Sequence, residues 1–139
     1  MRRMIIAMLA LLCLGMAACA AEKTEDEAMN YHQIDQETAK QMMALDDGHV
    51  IVDVRRQDEY DAGHIPGAIL IPNESIGEQP PEALSDFEQI LLIYCRSGNR
   101  SKQAAAKLAA MGYVNIYEFG GINTWTGDVV TDEGTEGNP

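Results

Sequence analysis

The run CRSGNRS, residues 95–101, sets a cysteine ahead of two arginines and a glycine, at the head of an alanine-rich segment. A thiol attacks as the thiolate, and it ionises where positive charge and oriented N–H groups surround it. The apolar stretch QILLIY leads into Cys95, Gly98 permits a tight turn, and SKQAAAKLAAMG follows with the composition of a helix. A strand–turn–helix junction of this kind aims several backbone N–H groups and the positive end of a helix dipole at one point. Arg96 and Arg100 add positive charge there. The run therefore reads as a nucleophile, Cys95, inside an anion-binding cradle made by Arg96, Ser97, Gly98, Asn99, Arg100 and Ser101. The alternative is a cysteine that merely ends a buried strand. The agreement of strand end, turn glycine, arginines and helix start tells against it.

Other residues able to do chemistry are more scattered. Asp53 and Arg55 close the run VIVDV and fall on the same rim as Cys95, with Asp53 suited to orient an arginine or loop backbone. His64, in GHIPGA, suits a turn-stabilising imidazole better than a general base. His32, His49 and His64 stand at no ligand spacing, so no metal site is expected. Gly120 and Gly121 mark a turn and lack the pattern of a phosphate loop.

The elements that must position these residues alternate. YHQI reads as a short strand, and Asp35 caps a helix whose Ala39, Met42 and Met43 share a face, with Gly48 ending that unit. VIVDV is a β-branched run suited to burial on both sides. Then come the polar helix QDEYDA, a Pro-Gly turn, the strand AILIP, a long loop, and the strand QILLIY, with Cys95 just past its end. The helix SKQAAAKLAAMG has Leu108 and Met111 inward and Gly112 as its cap. VNIYEF is a fifth strand, and GGINTWTG is a turn with a short helix whose Trp125 packs on the core. Alternation of this type predicts an α/β sandwich with a mainly parallel sheet, binding its ligand beyond the carboxyl ends of the strands.

Three segments carry a resemblance: VDVRRQDEYDAGHIPGAILIP (52–72), YCRSGNRS (94–101) and GYVNIYEFGGINTW (112–125). In order and spacing they resemble the single-domain rhodaneses, a family of sulfurtransferases. The resemblance covers residues 31–130. It implies a three-layer sandwich, a five-stranded parallel sheet with helices on both faces. It also implies a double displacement that requires no metal or organic cofactor. The Cys95 thiolate would take the outer sulfur of a donor such as thiosulfate as a persulfide, then pass it to cyanide or a thiol. Arg96 would dock the donor and Arg100 would give the loop charge and shape, two roles that could be exchanged. The partners implied are small molecules, a sulfur donor and a thiol acceptor, and the protein is expected to be a monomer.

Two rival functions stay open. A cysteine phosphatase or arsenate reductase also sets Cys and Arg in an anion-binding loop, but the spacing from Cys95 to Arg100 is one residue shorter than in the protein phosphatases. A non-enzymatic sulfur-binding module of the same family is the other.

The N-terminus reads as an export signal. Residues 1–18 hold Arg2 and Arg3 and then an apolar stretch too short to span a membrane. LGMAAC resembles a bacterial lipobox, with Met16 where leucine is preferred, which makes Cys19 the lipidated first residue of the mature chain and leaves ordinary cleavage near Ala20 or Ala21 open. Residues 19–30 then form the lipidated cysteine and an acidic linker, residues 31–130 the domain, and 131–139 a disordered tail. The expected location is the bacterial periplasm or cell envelope, on a lipid anchor. With Cys13 removed and Cys19 lipidated, Cys95 is the one remaining thiol. The formal charge of −12, with no basic stripe, excludes nucleic acid held by counterion release. It also excludes attraction to anionic lipid headgroups, so only the anchor would hold the membrane.

Overall fold

The computed structural model describes residues 30–132. The export signal, Cys19, most of the acidic linker and residues 133–139 of the tail lie outside the described residues. In chain order the elements are β1 (His32–Gln33), α1 (Gln36–Met43), β2 (Val50–Asp53), α2 (Gln57–Ala62), β3 (Ile69–Leu70), β4 (Leu91–Cys95), α3 (Asn99–Met111) and β5 (Ile116–Gly121). Single 3-10 turns follow β3 and β5, at Asn73–Ser75 and Ile122–Thr124. The five strands form one sheet in the order β1-β5-β4-β2-β3, and every pairing is parallel.

Burial explains this order. The central strand β4 is covered on both faces, and all five of its residues are buried. Strand alternation sends Leu91, Ile93 and Cys95 to one side, where Val52, Val54, Ala104, Ala105, Leu108 and Ile116 complete a core under α3. Leu92 and Tyr94 go to the other side, with Ala39, Ile51, Ile65 and Phe119, under α1 and α2. Each fully buried Leu or Ile contributes about 1.5–3 kcal/mol. The result is a three-layer α/β sandwich.

Local chemistry sets the ends of the helices. Asp35 caps α1 by accepting the Thr38 N–H at 2.7 Å, with Ala39 fully buried and Met42 and Met43 packed against the core. Trp125 rests on the same cluster, its ring centroid 5.7 Å from that of Phe119. Several expected bounds move. α1 ends at Met43, before Gly48, because Ala44 already closes the last turn. β3 keeps two residues of the expected AILIP, since it lies at the sheet edge and pairs on one side only. Cys95 is the last residue of β4 and not the first beyond it, because it pairs across a bulge with Gly121. β5 accordingly extends to Gly121, and α3 begins at Asn99, directly after Gly98.

Candidate active site

Cys95 sits where β4 gives way to α3, and the chain must reverse there within three residues. Gly98 makes this possible with φ at +106°, in the left-handed region that side chains disfavour. Its N–H turns back and donates to the Cys95 Sγ at 3.0 Å. Ser101, in the first turn of α3, lies with its Oγ 3.5 Å from the same sulfur. Burial raises the Cys95 pKa, but the Ser101 hydroxyl and the N–H groups of Ser101, Gly98 and Ser97 together outweigh it. The thiol is held below its ordinary value.

The residue is 1% exposed, so the sulfur lies just beneath the surface of the loop. Arg96, Ser97 and Asn99 are the exposed residues of that loop. Among the described residues, the Arg96 side chain makes no ion pair. Its charge is therefore available to an anion. Arg100 differs: its guanidinium donates to both carboxylate oxygens of Glu59, at 2.6 and 2.9 Å. That pair ties the first turn of α3 to the first turn of α2. It also holds the Glu59 carboxyl down at about 2, chiefly through the Arg100 hydrogen bonds.

The end of β5 closes the loop from below. A Cβ on Gly121 would come within 1.9 Å of the Arg96 carbonyl oxygen, so only glycine lets this strand run against the loop. The same carbonyl accepts the Asn123 N–H at 3.1 Å. Gly120 and Gly121, expected as a turn, are instead the last two residues of β5, kept in the strand because Gly121 pairs with Cys95 and packs against the loop backbone.

Asp53, Arg55 and His64 form a separate cluster. Asp53 accepts from the Arg55 side chain, with Nη2 at 2.7 Å, and from the Tyr94 hydroxyl at 2.7 Å. Arg55 also donates to the Gly63 carbonyl at 2.7 Å, and the Ile65 N–H donates to the Tyr94 oxygen at 3.1 Å. Burial, then the Asp53 carboxylate, keep the Tyr94 hydroxyl protonated far above its ordinary value. His64 stacks on Tyr60, with centroids 3.8 Å apart, and its backbone pairs with that of Val130. This network locks the GHIPGA turn to the carboxyl end of β2. Tyr94 points away from the Cys95 face, so the cluster shares the rim with the cysteine but does not touch its sulfur. A hollow of about 480 Å³ lined by Met43, His49, Ile65 and Trp125 contains none of the loop residues. Among the described residues, no three His, Cys, Asp or Glu side chains converge to hold a metal ion.

The sequence reading missed two carboxylates, Glu59 and Glu118. Glu118 is 3% exposed and accepts from the Ser101 hydroxyl at 2.6 Å and the Gly120 N–H at 2.8 Å. Its signal was available: strand alternation puts it on the same face as Ile116, where an acid is out of place.

Comparison with known proteins agrees with this geometry. The chain is 39% identical over 80 residues to the thiosulfate sulfurtransferase GlpE of Pseudomonas entomophila, covering 57% of this chain and 72% of that protein. It is 35% identical over 71 residues to the thiosulfate sulfurtransferase PspE of Escherichia coli, covering 51% and 68%. A solved structure described as a rhodanese with anions from E. coli superposes with a TM-score of 0.55 at 31% identity, over 60% of this chain and 98% of that one. The model of the rhodanese-like domain matches residues 35–128, and the chain belongs to that family.

Proposed function

We propose that the protein is a sulfurtransferase that moves sulfane sulfur from thiosulfate, or a similar anionic donor, to a thiol or cyanide through a persulfide on Cys95. The observation that carries this is the Gly98 N–H donating to the Cys95 sulfur at 3.0 Å, in a loop whose Arg96 is exposed and which leads directly into α3. Relatives named thiosulfate sulfurtransferase support the same activity.

The Cys95 thiolate attacks the outer sulfur of the donor, a new S–S bond forms, and sulfite leaves with the electron pair of the bond it breaks. The persulfide carries one negative charge into the cradle of N–H groups, which is already oriented and needs no rearrangement. Attack by the acceptor on the outer sulfur then returns Cys95 as the thiolate. Arg96 draws the donor to the loop. Arg100, held by Glu59, fixes the loop's shape. A phosphatase would need its loop arginine on the phosphoryl oxygens, and here that guanidinium is occupied.

The reading extends to location: Cys19 as a lipidated residue would tether the domain outside the cytoplasm, acting as a monomer on small molecules. Full-length protein assayed with thiosulfate and cyanide should produce thiocyanate, and should leave an aryl phosphate unhydrolysed. Phosphate release without thiocyanate would reverse the assignment. Cys19→Ala should release the protein from the membrane fraction, or block its processing, with specific activity unchanged.

A further inference from the structure

Glu118 is a buried acid that the mechanism above does not use. Its Oε1 lies 2.6 Å from the Ser101 Oγ, and that oxygen lies 3.5 Å from the Cys95 Sγ. Ser101 is fully buried, and Gly98 O at 2.9 Å and Gly120 O at 3.4 Å are its other possible acceptors. A hydroxyl carries one proton, so Ser101 cannot donate to the carboxylate and the sulfur together. When Glu118 is ionised and takes that proton, Ser101 offers the sulfur a lone pair, which only a protonated thiol can use. When the sulfur is a thiolate and takes the Ser101 proton, Glu118 must itself be protonated to keep its bond to Ser101. The Ser101 proton thus serves the carboxylate or the sulfur, one at a time.

We infer that Glu118 is the proton store of Cys95, exchanging one proton with the thiol through the Ser101 hydroxyl. This rests on the sulfurtransferase reading for its purpose. As the nucleophile forms, the S–H bond breaks and its proton passes to the Ser101 oxygen. The proton Ser101 already held passes to Oε1 of Glu118. Charge moves from carboxylate to sulfur, the site's net charge is unchanged, and no oxidant or bulk base is needed. When the acceptor removes the outer sulfur, the same two protons move back. The pair therefore holds one negative charge where two would repel each other and an incoming anion. In the active state the carboxyl, hydroxyl and thiolate form a chain of aligned hydrogen bonds, each strengthening the next. Glu118 acts through Ser101 and never touches the donor.

Among the described residues, no other charged group supplies an alternative partner. On the elements around β5, Arg100 is held by Glu59, Lys107 by Asn73, and Lys40 by Thr126 and the Trp125 ring. His32 stacks on Tyr117, while Glu37, Lys102 and Arg96 are exposed. Among the described residues, Glu118 has no ion pair.

The test is the rate of Cys95 alkylation by iodoacetamide across pH, in the full-length protein. Two coupled sites lose their protons in two macroscopic steps, so the wild-type rate should rise to a plateau and then rise again. Glu118→Gln, which still accepts from Ser101 and Gly120, should give a single step. Ser101→Ala removes the bridge and should slow alkylation at the plateau at least about tenfold, the loss of one hydrogen bond to a charged group. A single step in the wild type, or both steps intact in Ser101→Ala, overturns the proposal. The wild-type profile decides even if a variant fails to fold. Intact mass after thiosulfate separates the two claims. A single step with normal persulfide sinks the relay alone, and two steps without any persulfide sink the sulfurtransferase reading alone.

Discussion

Glu59 grips both terminal nitrogens of Arg100, so the first turn of α2 and the first turn of the cysteine-bearing junction move as one piece. The Glu59 carboxyl is held at about 2 in the folded chain, against an unfolded value of about 4.3. Its folded value is depressed, so its contribution is complete above the unfolded value and fades as pH falls from about 4.3 to about 2. Water still reaches this pair, which limits the contribution to about 1 kcal/mol. Glu59→Gln should lose that much in urea unfolding at neutral pH, and the gap from wild type should close near pH 2. A gap that persists there would point to packing as its cause.

The two loop arginines should fail differently. Arg96, exposed and unpaired among the described residues, should on change to alanine raise the KM for thiosulfate about tenfold with kcat little changed. Arg100→Ala should lower kcat as the loop loses its anchor. Steady-state kinetics on both variants checks the split, and equal small effects would leave the chemistry to the backbone cradle alone.

Gly121→Ala should be severe. Its new methyl meets the Arg96 carbonyl at 1.9 Å, and the atoms it strikes are all backbone of the Arg96–Ser97 peptide, which cannot swing aside as a side chain would. We expect a loss above about 2 kcal/mol in thermal unfolding and the disappearance of turnover. Gly77→Ala, with open space around it, should stay within about 0.5 kcal/mol.

The Asp53 network is predicted to be structural. Asp53→Asn leaves the Arg55 guanidinium buried without its counter-charge and should cost about 3–5 kcal/mol in urea unfolding. Whatever fraction remains folded should keep its KM for thiosulfate, because Asp53 does not touch the sulfur. A raised KM in folded protein would move Asp53 into the site.

Much of this was legible in the chain. VIVDV and LLIYC are apolar without alternation, which only strands buried on both faces require, and Gly98 and Gly112 bracket α3 from either end. The cysteine loop was legible because its chemistry is local: thiol, turn and helix start lie within CRSGNRS. The partners of Glu59 and Glu118 were not, since each meets its own across the fold, 41 and 17 residues away, although alternation along β5 already marked Glu118 as a buried acid. Nor was the β5 register, because the bulge opposite Cys95 depends on how Gly121 packs against the loop, a contact between distant segments.

The persulfide itself is the central claim, and intact mass reads it directly. Full-length protein incubated with thiosulfate and freed of excess donor should gain about 32 Da, one sulfur atom. Cyanide should remove the added mass as thiocyanate appears, and Cys95→Ser, which keeps the fold but cannot hold sulfane sulfur, should gain nothing. An unchanged mass in the wild type, or an equal gain in Cys95→Ser, would contradict the account.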